Sequence, residues 1–231
     1  MQAPPVSVIV PVYNEERFIE SVLRRVTVSP FEKEVIVVND GSTDSTGHIL
    51  ARLERELPIR TLTHPSNQGK GSAVRSGIAA SRGNILLIQD ADLEYDPEDY
   101  PALLKPLTER RTAIVYGSRF LGAHRASYFW HRVGNWAITN LVNVLFNASL
   151  TDIETGYKAF RRTVLEPLSL RARGFEFEAE FTCKVLRSGQ MIFEVPVSYY
   201  GRSYAEGKKI TWKDGLQAVW VIVCCRVNPW Y

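Results

Sequence analysis

Four β-branched apolar stretches recur along the first half of the chain, each handing over to a helix-like segment, and no other feature narrows the fold so far. Val6–Val12 (VSVIVPV), Glu34–Val38 (EVIVV), Ile59–Thr63 and Asn84–Gln89 (NILLIQ) read as strands, and Ala113–Tyr116 as a fifth. Between them, Ile19, Val22, Leu23 and Val26 recur at i, i+3, i+4 and i+7, the spacing of one helix face. Thr46, Ile49, Leu50, Leu53 and Leu57 mark a second helix, and Gly71–Ser81 a third. Pro97 stands where the first residue of a fourth would, with Leu103, Leu104 and Leu107 on its apolar side. Such alternation predicts an α/β fold with a mostly parallel sheet wrapped by helices. Strands that are apolar without interruption are buried on both faces. Ligands of such sheets sit outside the carboxyl ends of the strands. The polar motifs of this chain follow strands one, two and four.

Beyond Tyr116 the pattern changes. Trp130, Val133, Ala137, Leu141, Val144 and Leu145 mark a long helix, and Thr151–Arg162 is a polar-to-aromatic segment. Phe177, Phe181 and Val185 mark another helix. Met191–Val197 reads as a strand with Met191, Phe193, Val195 and Val197 on one face. A basic loop, Gly201–Ile210, precedes a final apolar helix. Its run Ala218–Cys225 is the longest apolar stretch, far short of the roughly 20 residues that span a membrane. No spanning segment or secretory leader is expected. Three cysteines, Cys183, Cys224 and Cys225, make a poor disulfide framework and point to a reducing compartment. With no repeat or linker, the 231 residues are expected to form a single domain, 1–231, with a C-terminal elaboration. Residues 1–115 carry 13 Lys and Arg against 16 Asp and Glu, and residues 116–231 carry 15 against 9. The second half is therefore where an anionic partner would bind: phosphate, an acidic membrane surface or nucleic acid. Ordinary surface scatter would give the same imbalance.

Gln89-Asp-Ala-Asp-Leu-Glu94 carries the most chemistry. Asp90 and Asp92, one residue apart past a buried strand, can offer oxygen ligands to one divalent cation, with Glu94 as a third. An acidic turn in water would look the same in isolation. Pro11-Val-Tyr-Asn-Glu15 closes strand one and Asp40-Gly-Ser-Thr-Asp44 closes strand two. Asp40 can hydrogen-bond a base or ribose, although Asp40–Asp44 also fits an Asx-type turn with a helix cap. Asn67-Gln-Gly-Lys-Gly-Ser72 sets Lys70 at a helix start suited to an anion, without the spacing of a nucleoside triphosphatase P-loop.

Taken in order, PVYNE, NDGSTDST, NQGKGSAVRSG, QDADLEYDP and YGSRF resemble the family 2 glycosyltransferases of GT-A fold. The likeness is greatest to the branch of dolichol-phosphate mannosyltransferase, dolichyl-phosphate glucosyltransferase and their polyprenyl-phosphate relatives. It continues through Asp152–Phe160, Gly174–Phe177 and Tyr200–Ile210, and so covers nearly the whole chain. The resemblance implies a nucleotide-sugar half, 1–117, and an acceptor half, 118–231. Pro11, Tyr13, Glu15 and Asp40 would line the nucleoside pocket, with Lys70 there or near the diphosphate. Asp90, Ala91 and Asp92 would meet the donor, and Asp90, Asp92 and Glu94 would hold Mg²⁺ or Mn²⁺. Glu94 stands where relatives often have Gln. Arg119 would contact phosphate or support the donor sugar. Arg132, Arg202 and Lys208 would hold the acceptor phosphate, with Arg125 a near neighbour of Arg132.

The implied reaction moves a hexose with inversion from a nucleotide sugar, UDP-glucose-like first and GDP-mannose second, to a polyprenyl phosphate. An anionic acceptor oxygen needs no general base, whereas a hydroxyl acceptor would need one from Asp152 or Glu154. A sugar hydroxyl acceptor and a non-catalytic nucleotide-sugar-binding protein are the alternatives. Nucleic acid is not expected, and a dimer is left open. Tyr128, Phe129, Trp130, the Ala218–Cys225 run, Trp230 and Tyr231 are compatible with a cytoplasmic enzyme seated peripherally on a membrane. They are equally compatible with core packing, which is the expectation for Trp136.

Overall fold

A computed structural model describes residues 5–125, 128–202 and 211–228. The first half follows the expected alternation: β1 (Val6–Val12), α1 (Ile19–Val28), β2 (Lys33–Asn39), α2 (Thr46–Glu56), β3 (Ile59–Thr63), α3 (Lys70–Ala80), β4 (Ile85–Ile88), α4 (Tyr100–Thr108) and β5 (Ile114–Ser118). Pro97 opens a 3₁₀ turn, Pro97–Asp99, capped by the Asp96 side chain, which accepts the Glu98 N–H; α4 begins only at Tyr100. Then come α5 (Phe129–Phe146), β6 (Lys158–Arg161), α6 (Phe177–Arg187), β7 (Phe193–Pro196) and α7 (Trp212–Val227).

The strands form a seven-stranded sheet in the order β3-β2-β1-β4-β6-β5-β7. All neighbours run parallel except β6, which is antiparallel to both β4 and β5. The sequence concealed β6 inside Thr151–Arg162 because it is four residues long and starts with a lysine. Lys158 is nevertheless buried: its Nζ donates to the carbonyls of Ile153 and Thr155 and lies 4.4 Å from the centre of the Tyr116 ring. Those carbonyls supply the hydrogen bonds that a buried ammonium requires.

Alternate residues of β1 enter opposite layers. Val6, Val8, Val10 and Val12 pack with α1, α2 and α4, whereas Ile9 packs with Val74 of α3 and Phe177 and Phe181 of α6. Ile19, Val22, Leu23 and Val26 are all buried, and side chains of this kind contribute about 1.5–3 kcal/mol each. A further cluster joins Val142 of α5, Ala179 and Cys183 of α6, and Ala218, Val221, Ile222 and Cys225 of α7.

The C-terminal half departs from the expected faces. On α5 only Thr139 and Val142 are buried; Trp130, Ala137 and Val144 are exposed, and Trp136, expected in the core, is 65% exposed. On β7, Val195 is buried with the adjoining Val197, while Met191 and Phe193 are exposed. No described helix is long and apolar enough to cross a membrane.

Candidate functional site

The ends of β1, β2 and β4 open into one cavity of about 1070 Å³, which continues between α5 and α7. Pro11, Tyr13, Glu15, Asp40, Lys70, Asp90, Ala91, Asp92, Glu94, Arg119 and Arg202 all border it, so the motifs that the sequence singled out converge in space.

Asp40 anchors the loop that leads to α3. Its carboxylate accepts the backbone N–H groups of Gln68 (3.0 Å) and Gly69 (2.7 Å) and faces His64 Nδ1 at 2.7 Å. His64 Nε2 lies 2.8 Å from Ser76 Oγ. Asp40 is thus already engaged by protein groups at the spot where a base or ribose contact was expected. Gly69 has φ of 94°, and a Cβ there would lie 2.3 Å from the Arg173 carbonyl oxygen, so only glycine suits the turn into α3. That turn delivers Lys70, whose Nζ meets Asp90 at 2.7 Å and Glu178 at 2.8 Å. Burial works against the Lys70 charge, but the two carboxylates outweigh it and hold its pKa above the ordinary value.

Asp92 and Glu94 converge on Arg202. Arg202 Nη2 donates to Asp92 Oδ2 at 2.5 Å and Nη1 to Glu15 Oε2 at 3.1 Å, and its backbone N–H donates to Glu94 Oε1 at 2.6 Å. Tyr199 donates to Glu94 Oε2 at 2.9 Å. Arg202 was expected at the acceptor phosphate; here Glu15 and Asp92 take its terminal guanidinium groups and Glu94 its backbone N–H. Lys208 lies outside the described residues. Burial, reinforced by Glu94 and Asp90, pushes the Asp92 carboxyl up to about 7 despite Arg202.

Arg119 and Asp152 form a two-pronged pair. Arg119 Nε and Nη2 each donate to Asp152 at 2.7 Å, and Asn135 Nδ2 adds a third side-chain donor at 3.2 Å. Burial alone would raise the Asp152 pKa, but the charge and hydrogen bonds of Arg119 pull it below the usual carboxylate range. Asp152, expected as a candidate base, is fully buried, does not border the cavity and has its oxygens on Arg119 and Asn135. Glu154 does border the cavity. Burial and the neighbouring Glu178 charge push its carboxyl up to about 7. Glu178 was missed because Phe177, Phe181 and Val185 marked the core face of α6, and a glutamate beside Phe177 shows no periodic signal.

A second hollow, of about 50 Å³, adjoins the first through Arg119, His131, Asn135 and Tyr199. Arg125, Arg132 and His124 complete its polar wall, and no carboxylate side chain lines it among the described residues. The main cavity is the opposite: among the described residues, eight acidic side chains line it against Lys70, Arg119 and Arg202. So acidic a lining attracts cations. The donor chemistry therefore fits a hard divalent cation at Asp92, with Arg202 standing in for a positive charge. The fit is incomplete. Among the described residues Asp90, Asp92 and Glu94 do not close on one point as a three-acid cage, because Asp90 turns to Lys70.

Solved structures share this architecture. Glucosyl-3-phosphoglycerate synthase from Mycobacterium tuberculosis, crystallised with Mn²⁺, UDP and glucosyl-3-phosphoglycerate, matches with a TM-score of 0.76 at 23% identity. The match covers 98% of this chain and 81% of that one. The fold is thus that of the GT-A glycosyltransferases. Undecaprenyl-phosphate mannosyltransferase of Micrococcus luteus is 32% identical over 209 residues, 87% of this chain and 85% of that protein. A dolichyl-phosphate beta-glucosyltransferase of Trichomonas vaginalis is 29% identical over 248 residues, 97% of this chain and 75% of that protein. The profile of glycosyl transferase family 2 matches residues 7–168, and the chain belongs to that family.

Proposed function

We propose that this enzyme transfers a hexose, with inversion, from a nucleotide sugar to a polyprenyl phosphate at the surface of a membrane, with residues 1–117 serving the donor and 118–231 the acceptor. The observation that carries the reading is the junction of the two hollows. An acidic cleft at the strand ends meets a pocket that contains Arg119, Arg125 and Arg132 and that no carboxylate lines among the described residues. The names of the similar lipid-phosphate transferases favour the same acceptor.

In this reading Pro11, Tyr13, Glu15 and Asp40 border the nucleoside. Asp90 and Asp92, helped by Glu94, would hold Mg²⁺ or Mn²⁺, whose charge stabilises the diphosphate leaving group. For that, Arg202 exchanges Asp92 for the incoming donor. Lys70, at the start of α3, adds a fixed positive charge near the diphosphate. Arg119, braced by Asp152, faces the region between donor and acceptor and neutralises phosphate oxygens. Arg132 and Arg125 seat the acceptor phosphate. A phosphate monoester, with its second pKa near about 6, is already mostly dianionic at neutral pH, so its oxygen attacks without a general base. Were the acceptor a hydroxyl, Glu154 and not Asp152 would be the carboxylate able to take its proton. The resemblance favours a UDP-glucose-like donor, with GDP-mannose second.

The membrane reading rests on α5 and α7. Phe129, Trp130 and Trp136 on α5 and Trp212, Leu216 and Trp220 on α7 are exposed, and Trp130, Trp212 and Leu216 also line the mouth of the cavity. Aromatic groups of this kind, beside Arg132 and Lys213, suit the headgroup region of the cytoplasmic leaflet. Thr211 and Asp214 form a capping box that fixes the first turn of α7. The test is transfer from UDP-glucose and GDP-mannose to a short-chain polyprenyl phosphate, compared with the free alcohol. The phosphate should be glycosylated and the alcohol not, and Arg132→Gln should raise KM for the phosphate about tenfold or more. Equal use of the alcohol would contradict the acceptor assignment.

A further inference from the structure

We propose that Glu154 and Glu178 form the subsite for the transferred hexose, accepting hydrogen bonds from its hydroxyl groups and rejecting sugars that carry a carboxylate. The inference rests on reading the cavity as a nucleotide-sugar site. Its starting point is a pair of stranded atoms. Glu154 Oε1 and Glu178 Oε2 are buried, and among the described residues neither has a hydrogen-bond partner. Both side chains line the cavity. Glu178 is only 4% exposed. Folded proteins seldom leave buried carboxylate oxygens unpaired, and when they do the site commonly awaits a ligand or water.

The surroundings favour a neutral donor as that ligand. Lys70 already sits on the other oxygen of Glu178, at 2.8 Å, and would repel a second cation placed beside it. A hexose hydroxyl supplies a proton to an acceptor without adding charge. The position also suits the sugar. Lys70 bridges Glu178 to Asp90, the first acid of the motif at the end of β4. Gly156 presses the turn that carries Glu154 against the same residue: a Cβ at Gly156 would fall 2.0 Å from Asp90 Oδ2. Lys158 fixes that turn from beneath through the carbonyls of Ile153 and Thr155. Glu154 and Glu178 are therefore held on rigid supports beside the residue that faces the donor, as a specificity site requires. A sugar bearing its own carboxylate would meet Asp90, Glu154 and Glu178 together, and like charges in a buried site repel strongly.

The experiment is calorimetric titration with Mn²⁺ present, using UDP, UDP-glucose and UDP-glucuronate, and GDP and GDP-mannose. Wild-type enzyme should bind one neutral nucleotide hexose more tightly than its parent nucleotide, and UDP-glucuronate more weakly than UDP. Glu154→Gln keeps the shape of the side chain and should lower the affinity gained from the hexose about tenfold, while leaving the parent nucleotide within about twofold. Glu178→Gln should shift the same ratio, and either variant should narrow the gap between the neutral sugar and the uronate. Equal weakening of nucleotide and nucleotide sugar in both variants, or tight uronate binding by the wild type, would overturn the assignment. Absence of any nucleotide binding by the folded wild-type enzyme would instead remove the donor-site reading beneath it.

Discussion

Replacing Asp152 with Asn isolates the pair that orients Arg119. The carboxylate is fully buried and accepts Arg119 Nε and Nη2 at 2.7 Å. Neutralising it leaves a guanidinium with 15% side-chain exposure without the carboxylate it is paired with. Breaking a buried ion pair by removing one partner costs about 3–5 kcal/mol. The partial exposure of Arg119 lets water return and places the loss at the lower end, about 3 kcal/mol. For a chain of this size each kcal/mol moves Tm by roughly 2–4 °C, so the variant should melt roughly 6–12 °C lower at neutral pH. The pH dependence has a definite sign. The folded pKa of Asp152 lies below its unfolded value, so the stabilisation is complete above about pH 4 and disappears as pH falls through the folded pKa. Thermal melts from pH 3 to 8 should therefore show a wide gap at neutral pH that closes in acid. Asp152→Asn combined with Arg119→Gln should recover at least half of the loss, because no charge is left stranded. A Tm change under about 2 °C, or one that is constant across the pH range, would refute the reasoning.

Asp92 should behave in the opposite sense: its folded pKa, about 7, lies above the unfolded value, so in EDTA stability should fall as pH rises from about 4 to about 7. Asp92→Asn should then melt several degrees higher than wild type at pH 8, match it near pH 3.5, and lose Mn²⁺-dependent nucleotide binding; a variant no more stable at pH 8 would contradict the buried-charge argument. Trp130→Ser with Trp212→Ser should reduce cosedimentation with anionic phospholipid vesicles about tenfold or more while leaving nucleotide affinity unchanged, and undiminished vesicle binding would rule out the α5–α7 face as the contact.

The first half of the fold was legible because most of its strands are continuous apolar runs, even one as short as β4, and its helices repeat strictly, as Ile19, Val22, Leu23 and Val26 do. Legibility failed where local pattern and tertiary role diverge. β6 carries a lysine whose charge is answered by carbonyls distant from any hydrophobic pattern. The apolar stripe of α5 gives the right helix but the wrong destination, since Trp130 and Trp136 stay in contact with solvent. At the site, the motifs at strand ends identified the cavity, but partners could not be read from residue types. Arg202 and Asp152 both belong to resemblance-bearing motifs. Only the three-dimensional contacts reveal that one is held by carboxylates and that the other lies sealed behind Arg119. Glu178 and His131 gave no signal, because a single polar residue within a helix has no period to break.

The central claim is that carboxylates at the end of β4 receive a nucleoside diphosphate only through a divalent cation. Titration of UDP and GDP into the protein, with Mn²⁺ and then with EDTA, tests it most directly. One nucleotide should bind with Mn²⁺, with Kd in the micromolar range or below, and lose at least about a hundredfold in EDTA, equivalent to about 2.8 kcal/mol. Equal affinity in both conditions, or binding that survives Asp92→Asn intact, would contradict it.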